Sequence, residues 1–341
     1  MIATWQLERN TALLTPDPQA DEPLLILIPV FNDWSVVSLL LPKIDAALQA
    51  AQRTCEVLLV DDGSTLPAEG ALNLPDFEAI QTVDILELAR NLGHQRAIAI
   101  GLTWIRDHRP TRTVVVTDGD GEDNPADIPR LLERFDETGK RKIVFGARTR
   151  RSEHWTFQVG YRSYQLLHLV LTGQRVRVGN FSVIPPRAVA RLAVISEVWN
   201  HYAAAVFNSR IEYDMVPSAR CKRLGGASKM NFISLVVHGL SALSIFSHVI
   251  GVRLLIATMV LICGTLVGFG LAAGMSAIEG QSMPAWIPLL MILMLAILAQ
   301  QAFLAVAFIL QVLSSRQGTS FVPLRDYHCF VAQLHSVYRR S

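Results

Sequence analysis

The sequence lacks the marks of several common protein classes. Its few cysteines lie far apart, with no CxxC pair and no zinc-ligand spacing: Cys55, Cys221, Cys263 and Cys329. This pattern fits a reduced compartment better than a disulfide framework. The formal net charge of +2 is too small to indicate a nucleic-acid partner. Internal repeats, a GxSxG elbow, a GxxxxGKS-type phosphate loop and His-rich metal spacing are also absent.

The N-terminal segment does not have the pattern of a signal peptide. Residues 1–23 are polar and contain prolines, with no apolar core of the signal-peptide type, so we expect the N-terminus to stay in the cytoplasm. Hydrophobic residues nevertheless make up 51% of the chain, a high fraction for a soluble protein, and the excess collects after residue 253.

Two long uncharged segments account for this excess. Residues 254–278 and 284–313 are each long enough to cross a bilayer as a helix. Gln300 and Gln301 are strongly polar residues inside the second segment, and we expect them to bond to the neighbouring helix. A pair of buried helices in a soluble protein is the alternative, which the length of both segments disfavours.

The basic residues give the expected membrane orientation. The connection over residues 279–283 contains no Lys or Arg, whereas both residue types flank the other ends of the two segments. The positive-inside rule then places residues 1–253 and 314–341 in the cytoplasm. We therefore expect a multi-pass protein of the cell inner membrane.

Strands alternate with helices over the first 150 residues. Apolar runs predict strands at 24–31, 56–60, 83–88, 113–117 and 142–146. Amphipathic patterns predict helices at 35–52, 95–107 and 125–138. This alternation indicates an α/β fold with a doubly wound sheet.

Two later segments are amphipathic. Residues 155–171 fit either a helix packed on its own domain or a helix on the membrane surface. Residues 232–252 lead directly into the first long apolar segment, so we expect them at the membrane interface.

Polar clusters follow four of the predicted strands. They occupy residues 32–33, 61–64, 90–94 and 118–123. Ligands of doubly wound sheets bind beyond the carboxyl ends of the strands. Because all four clusters fall at that edge, the sequence predicts a ligand site there.

The fourth cluster has the most specific chemistry. Asp118 and Asp120 follow a buried strand and point to the same side if the backbone stays extended. Gly119 and Gly121 let the loop bend. Massed carboxylates are unfavourable unless a cation neutralises them, and a hard ion such as Mg²⁺ or Mn²⁺ that also meets substrate phosphates suits them.

Two simpler interpretations of this cluster compete. Asp, Gly and Asn are common in solvated turns, so the acids fit an ordinary surface turn as well. A calcium-binding loop is the other, since Asp118, Asp120 and Glu122 occupy alternate positions. That loop also needs Gly at its sixth position and Glu at its twelfth. Asp123 and Pro129 stand there instead, so the calcium loop fails.

Four motifs, in their order and spacing, resemble those of family 2 glycosyltransferases: Ile-Pro-Val-Phe-Asn-Asp (28–33), Val-Asp-Asp-Gly-Ser (60–64), Arg-Asn-Leu-Gly-His (90–94) and Asp-Gly-Asp-Gly-Glu-Asp (118–123). The similarity covers about residues 24–253. It is to the polyprenyl-phosphate branch, which includes dolichyl-phosphate mannose synthase and bactoprenol glucosyltransferases. The resemblance implies a GT-A fold, a nucleotide-sugar donor, a divalent metal (Mg²⁺ or Mn²⁺) and inversion at the anomeric carbon.

The resemblance also implies roles for residues on the donor side. Pro29 and Asp33 match the family's first loop, where Glu is more usual than Asp. Asp62 matches the acid that meets the nucleoside, with Asp61 beside it. Asn91 lies in the third motif and is expected on the donor side.

The acid cluster matches the family's metal and diphosphate site. Asp118 and Asp120 match the acids that hold the metal and the diphosphate. Glu122 stands where polyprenyl members often carry Gln, and a third carboxylate there is expected to tighten the metal.

Basic residues are implied on the acceptor side. Arg148 matches a basic residue near the acceptor, although the run from Arg148 to Arg151 fits contact with anionic headgroups equally well. Arg223 and Lys229 match the basic stretch before the membrane helices.

Asn180 departs from the pattern, because family members typically carry Asp at this position. A neutral amide cannot act as a general base. A polyprenyl-phosphate acceptor needs no strong base, since its phosphate oxygen is already ionised. A lipid hydroxyl would need one, and Glu197 and His201 are the candidates, with a hydrogen-bonded helix interior as the simpler role for both.

The main hypothesis is a membrane-anchored inverting transferase that moves a sugar from a UDP- or GDP-sugar to a polyprenyl phosphate on the cytoplasmic face. The alternatives are transfer to a glycerolipid or sphingolipid hydroxyl, a non-catalytic nucleotide-binding membrane module, and a signalling receiver domain. Bacterial relatives suggest a homo-oligomer such as a tetramer. The expected order is a polar segment (1–23), a GT-A catalytic domain (24–230), a juxtamembrane amphipathic helix (231–253), two spans (254–278 and 284–313) and a cytoplasmic tail (314–341).

Overall fold

The computed structural model describes residues 24–148, 165–173, 178–225, 232–280, 284, 286–315 and 321–340. Described residues within 1–158, 177–245 and 321–341 form one compact unit, and those within 159–176 and 246–320 form a second. Lys229 lies outside the described residues. So does much of the amphipathic segment 155–171, of which residues 165–171 are helical.

An eight-stranded sheet forms the centre of the first unit, in the order β7-β5-β6-β4-β1-β2-β3-β8. The strands are β1 (Leu24–Val30), β2 (Cys55–Asp61), β3 (Ile80–Leu88), β4 (Thr113–Val116), β5 (Ile143–Arg148), β6 (Val178–Ile184), β7 (Tyr213–Ser218) and β8 (Val331–Arg339). β3, β2, β1 and β4 are parallel neighbours, and β5 is parallel to β7. β6 is antiparallel to β4 and β5, and β8 is antiparallel to β3. All five predicted strands are confirmed.

Helices cover both faces of this sheet. In the part of the chain that the structure describes, the numbered helices are α1 (Trp34–Ala50), α2 (His94–His108), α3 (Ile128–Glu137), α4 (Pro186–Leu192), α5 (Tyr202–Asn208), α6 (Phe232–Ser244), α7 (Ser247–Glu279), α8 (Trp286–Ser315) and α9 (Pro323–Asp326), and residues 165–172 are helical as well. Ile26 and Ile28 of β1 share a buried cluster with side chains of α1 and α3. Leu27 points to the other face, where it meets Gly101 of α2 so closely that a Cβ there would lie 2.5 Å from the leucine. The apolar run of β1 is therefore buried on both faces.

The strand register brings the polar clusters to one edge. Val30, the last residue of β1, is paired with Asp61, the last residue of β2. Asp61 is in turn paired with Glu87 near the end of β3. The acid cluster follows β4, which is parallel to β1. The carboxyl ends of four parallel strands thus carry all four clusters.

The segment after the second long helix returns to the sheet. β8 pairs along β3 and forms its outer edge. Tyr338 of β8 accepts a hydrogen bond from the Phe77 N–H (3.0 Å), and the two rings meet edge to face at 5.0 Å. Tyr327 is buried and its hydroxyl donates to Asp107 (2.9 Å). These residues were expected only as a cytoplasmic tail, and β8 was not predicted.

The second unit contains the long apolar helices α7 and α8. Within them, Ser247–Ile278 and Trp286–Leu313 each have a mean hydropathy of 2.4 and are long and apolar enough to cross a membrane. Gln300 and Gln301 are both exposed on α8. Residues 231–253 were predicted as one juxtamembrane helix. In the structure, α6 ends at Ser244 and α7 begins at Ser247, so this segment contains parts of two helices.

Candidate functional site

The loop after β1 is fastened to the loop after β2 by Asn32. Its side-chain oxygen accepts the N–H groups of Thr65 and Leu66, each at 2.9 Å. Its own N–H donates to the Ser64 hydroxyl (2.9 Å). Asn32 has a φ of +53°, a left-handed conformation that Asn tolerates better than most residues. These bonds hold the predicted donor-side residue Asp33 in place.

Asp62 holds the third cluster. Its two carboxylate oxygens accept the N–H groups of Leu92 and Gly93, each at 2.7 Å, and its side chain is buried. Burial raises the pKa of Asp62, and the two N–H donors oppose that rise. Asp62 was predicted to contact the nucleoside. Both of its carboxylate oxygens accept backbone hydrogen bonds instead, so its side chain positions the loop of the third cluster.

Asp61 lies beside it on the same edge. One of its oxygens accepts the Ser64 N–H (2.9 Å). Burial is the main cause that raises the pKa of Asp61, and the negative charge of Glu87 adds to it. Glu87 is itself bonded by Gln333 of β8 (2.7 Å), so the returning strand borders this side of the site.

Gly63 lets the second and third clusters touch. It has a φ of +68°, and a Cβ there would lie 2.6 Å from the backbone of Arg90 and Asn91. Only glycine meets both demands without strain. Asn91 itself is exposed, in the loop that leads into α2.

A basic segment, Arg220–Leu224, lies along the acid cluster. The N–H of Cys221 donates to the Glu122 carbonyl (2.8 Å), and the N–H of Leu224 donates to the Asp120 carbonyl (3.1 Å). Arg220 forms an ion pair with Glu122. The segment therefore sets the side chains of Arg220 and Arg223 against carboxylates that follow β4.

Arg223 connects two of the predicted acids. Its guanidinium donates to Asp33 (2.8 Å) and to Asp120 (3.2 Å), and its Nε donates to the Gly225 carbonyl (2.9 Å). The three side chains are only partly exposed, so their mutual attraction is stronger than that of a surface pair. The structure thus brings Asp33, Asp120 and Arg223 together, although Arg223 is 190 residues from Asp33 in the chain.

Asp118 forms a hydrogen bond with Asn180, the residue that departs from the family pattern. The Asn180 amide donates to Asp118 (3.0 Å), and the Asn180 carbonyl oxygen accepts from the Gln95 amide (2.9 Å). Gln95 in turn accepts the backbone N–H of Tyr202 (2.7 Å). Sequence reasoning missed Gln95, although it directly follows the third cluster.

The two candidate bases lie near α5. His201 is buried and caps α5, since its Nδ1 accepts the Ala204 N–H (3.4 Å). Its ring is 4.7 Å from that of His238 on α6. Glu197 lies in a short 3-10 helix, Ser196–Trp199. A general-base role for either residue stays a prediction.

The acid cluster is the predicted site of a divalent cation. Among the described residues, no group of three or more His, Cys, Asp or Glu side chains is placed to hold a metal. Mg²⁺ sites often use only one or two carboxylates, with substrate phosphates and water completing the shell. Asp118 and Asp120 offer the kind of ligands that such a site uses, but Asp120 is itself paired with Arg223, and the metal role of both acids stays a prediction. Glu122, predicted as a third ligand, is paired with Arg220, and its metal role stays a prediction.

Pro29 and Arg148 are the remaining predicted site residues that the structure describes. Pro29 lies in β1, and its carbonyl oxygen is 3.0 Å from the position of a Cβ on Gly119, so the acid loop passes close to β1. Arg148 is the last residue of β5. Its acceptor role, like that of Lys229 outside the described residues, is an expectation from the sequence.

The parallel strands, the antiparallel β6 and the acids at one edge define an α/β protein of GT-A type. Residues 25–199, more than half of the chain, match the family described as Glycosyl transferase family 2. The chain belongs to this family, as the sequence motifs predicted.

Two of the relatives are named for polyprenyl phosphates. A dodecaprenyl-phosphate galacturonate synthase of Rhizobium johnstonii is 30% identical over 41% of this chain and 40% of its own length. An undecaprenyl-phosphate 4-deoxy-4-formamido-L-arabinose transferase of Klebsiella pneumoniae is 34% identical over 33% of each chain. An uncharacterised glycosyltransferase of Bacillus subtilis is 23% identical over 65% of this chain and 68% of its own. The chain thus matches less than half the length of the two polyprenyl-phosphate enzymes.

Proposed function

We propose that the protein transfers a sugar from a nucleotide-sugar to a polyprenyl phosphate on the cytoplasmic face of the membrane. The observation that carries the proposal is the guanidinium of Arg223, which is bonded to Asp33 and Asp120 at once. It gathers the first loop and the acid cluster at the sheet edge where such folds bind nucleotides. The names of the polyprenyl-phosphate relatives support the acceptor class.

Asp118 and Asp120 are the residues that would hold the divalent cation together with the donor diphosphate. Mg²⁺ or Mn²⁺, when bound there, neutralises charge that develops on the departing nucleoside diphosphate. Arg223 lies beside Asp120 and adds a second positive charge for the same purpose. Asp61, Asp62 and Asn91 are on the side where the nucleoside of a UDP- or GDP-sugar would bind.

The acceptor side is consistent with a phosphate nucleophile. Asn180 cannot remove a proton from a hydroxyl, and its amide is committed to Asp118. An acceptor phosphate already carries the negative oxygen that attacks the anomeric carbon as the bond to the diphosphate breaks. We propose that Arg148, Arg223 or Lys229 orients this phosphate, so positioning replaces base catalysis.

The apolar helices supply the membrane context of the proposal. α7 and α8 contain the two segments that are long and apolar enough to span a bilayer. With the charge asymmetry of the sequence, they support a multi-pass inner-membrane protein whose catalytic domain is cytoplasmic. A homo-oligomer, such as a tetramer, is part of the same proposal.

A donor and acceptor screen tests the function. The full-length protein in detergent is incubated with labelled UDP- and GDP-sugars, with undecaprenyl phosphate or diacylglycerol, and with Mg²⁺, Mn²⁺ or EDTA. We expect label in undecaprenyl phosphate only, released by mild acid and lost with EDTA. Asp120→Asn should lower turnover by roughly a hundredfold or more.

Three results would contradict the proposal. Acid-stable label in diacylglycerol would favour a lipid hydroxyl acceptor. Unchanged turnover of Asp120→Asn would remove the catalytic role of that acid. Nucleotide binding without transfer to any acceptor would favour a non-catalytic membrane module.

A further inference from the structure

Two buried amide side chains, Gln95 and Asn180, connect the acid cluster to α5. Both are less than a tenth exposed, at 8% and 5%. Gln95 is the second residue of α2, and Asn180 is the third residue of β6. The pair lies between a backbone N–H on one side and the Asp118 carboxylate on the other.

The first hydrogen bond of this network, from the Tyr202 N–H to Gln95, determines the direction of the others. The backbone N–H of Tyr202 can only donate, so the group that faces it must be the Gln95 carbonyl oxygen (2.7 Å). The Gln95 amide nitrogen then faces Asn180, whose carbonyl oxygen accepts at 2.9 Å. The same Gln95 nitrogen lies 3.0 Å from the Nε2 atom of His94, which fits a second donated bond.

Asn180 is left with one orientation. Because its oxygen faces Gln95, its amide nitrogen must face Asp118, where it donates at 3.0 Å. The opposite orientation would place two amide nitrogens against each other at the Gln95 end and two oxygens against each other at the Asp118 end. Burial makes such unmatched contacts costly.

We propose that Gln95 is a positioning residue, which fixes Asn180 as a hydrogen-bond donor to Asp118 and so holds the Asp118 carboxylate for the donor site. This inference rests on the proposed function. It also gives the amide at position 180 a role that an acid could not fill, because an ionised carboxylate has no hydrogen to donate to Asp118. A carboxylate there would lie about 3 Å from that of Asp118, and two such charges disfavour each other.

The test uses Gln95→Met, Asn180→Ala and the double variant. Methionine is about as long as glutamine but has no amide. The substitution therefore removes the hydrogen bond that orients Asn180 without adding charge. We expect Gln95→Met to lower kcat/KM about tenfold, the equivalent of about 1.4 kcal/mol. In the Asn180→Ala background the same change should lower kcat/KM less than about twofold, because its effect passes through Asn180. Gln49→Met, at an exposed position of α1, is the matched control and should behave as wild type.

Thermal unfolding separates positioning from general destabilisation. Gln95→Met also leaves the Tyr202 N–H without its acceptor, so it should lower Tm by a similar amount in both backgrounds. A role limited to stability predicts that activity follows Tm and falls in both backgrounds. Additive losses of kcat/KM, or wild-type activity of Gln95→Met, would overturn the inference.

A binding measurement keeps this inference separate from the proposed function. Titration of the four proteins with UDP or GDP in the presence of Mn²⁺ needs no acceptor and no turnover. We expect the same non-additive pattern in Kd. If wild type binds nucleotide but transfers no sugar, the proposed function fails while the binding cycle still decides the role of Gln95. Additive effects on Kd would count against Gln95 in either case.

Discussion

Replacing Arg223 by Gln tests whether its guanidinium organises the site. This side chain joins Asp33, from the loop after β1, to Asp120, from the loop after β4. Glutamine keeps part of the length and polarity but has no charge. The two acids then lose their shared cation, and the basic segment Arg220–Leu224 loses its most connected side chain.

The expected cost follows from the two bonds that Arg223 makes to these acids. Hydrogen bonds to charged groups contribute about 1.5–3 kcal/mol each when they are well buried. Here the three side chains are 17%, 23% and 21% exposed, so solvent weakens both bonds, and we expect a total loss of about 2 kcal/mol. For a domain of this size that loss lowers Tm by roughly 4–8 °C.

The loss of kcat/KM should be larger than the loss of stability alone would cause. If Arg223 also neutralises the departing diphosphate, its removal lowers kcat/KM by roughly a hundredfold. Thermal unfolding and sugar transfer are measured on the same purified protein. Lys222→Gln is the matched control, because Lys222 is adjacent in sequence, carries the same charge and is exposed.

A double-mutant cycle gives the decisive result. In an Asp33→Asn, Asp120→Asn background, Arg223→Gln should cost little further stability, because the partners of the guanidinium no longer carry charge. The reasoning is wrong if Arg223→Gln resembles Lys222→Gln in both Tm and kcat/KM. It is also wrong if the loss of stability is the same in both backgrounds.

Three further predictions concern the scaffold of the site. Asp61→Asn should be at least as stable as wild type at pH 7. Burial raises the pKa of Asp61, so the folded protein binds its proton more tightly than the unfolded chain and wild-type stability falls as pH rises through this titration. The difference in Tm should close as pH is lowered towards 4, and a widening difference would contradict the assignment. Tyr338→Phe removes the acceptor of the Phe77 N–H and should lower Tm by about 2–4 °C, whereas an unchanged Tm would show that β8 is not docked in this way. Gly63→Ala should cost more than about 2 kcal/mol, since its Cβ would lie 2.6 Å from backbone atoms at a φ of +68°. Gly70→Ala has a similar φ of +74° but open space and should cost about 1 kcal/mol, and equal costs in urea unfolding would refute the close contact.

The local pattern of the sequence was sufficient to predict five of the eight strands of the described sheet and the edge that carries the site. Apolar runs such as Leu24–Val30 are followed directly by polar residues, and a period of two or 3.6 residues is a local property. The motifs at residues 60–64 and 118–123 therefore predicted both the strand ends and the family. The long apolar helices were equally local, because their length and lack of charge are visible without a fold.

The partners of the site residues were decided only by the tertiary structure. Arg223 meets Asp33 from 190 residues away, and Gln95 meets Asn180 from 85 residues away. No periodic pattern encodes such contacts, because they depend on how β6 and the segment after β7 return to the sheet. The same is true of β8, whose pairing with β3 crosses some 250 residues of chain. The sequence by itself thus determined which groups stand at the carboxyl edge, while the return of distant segments decided which charge or amide each of them faces.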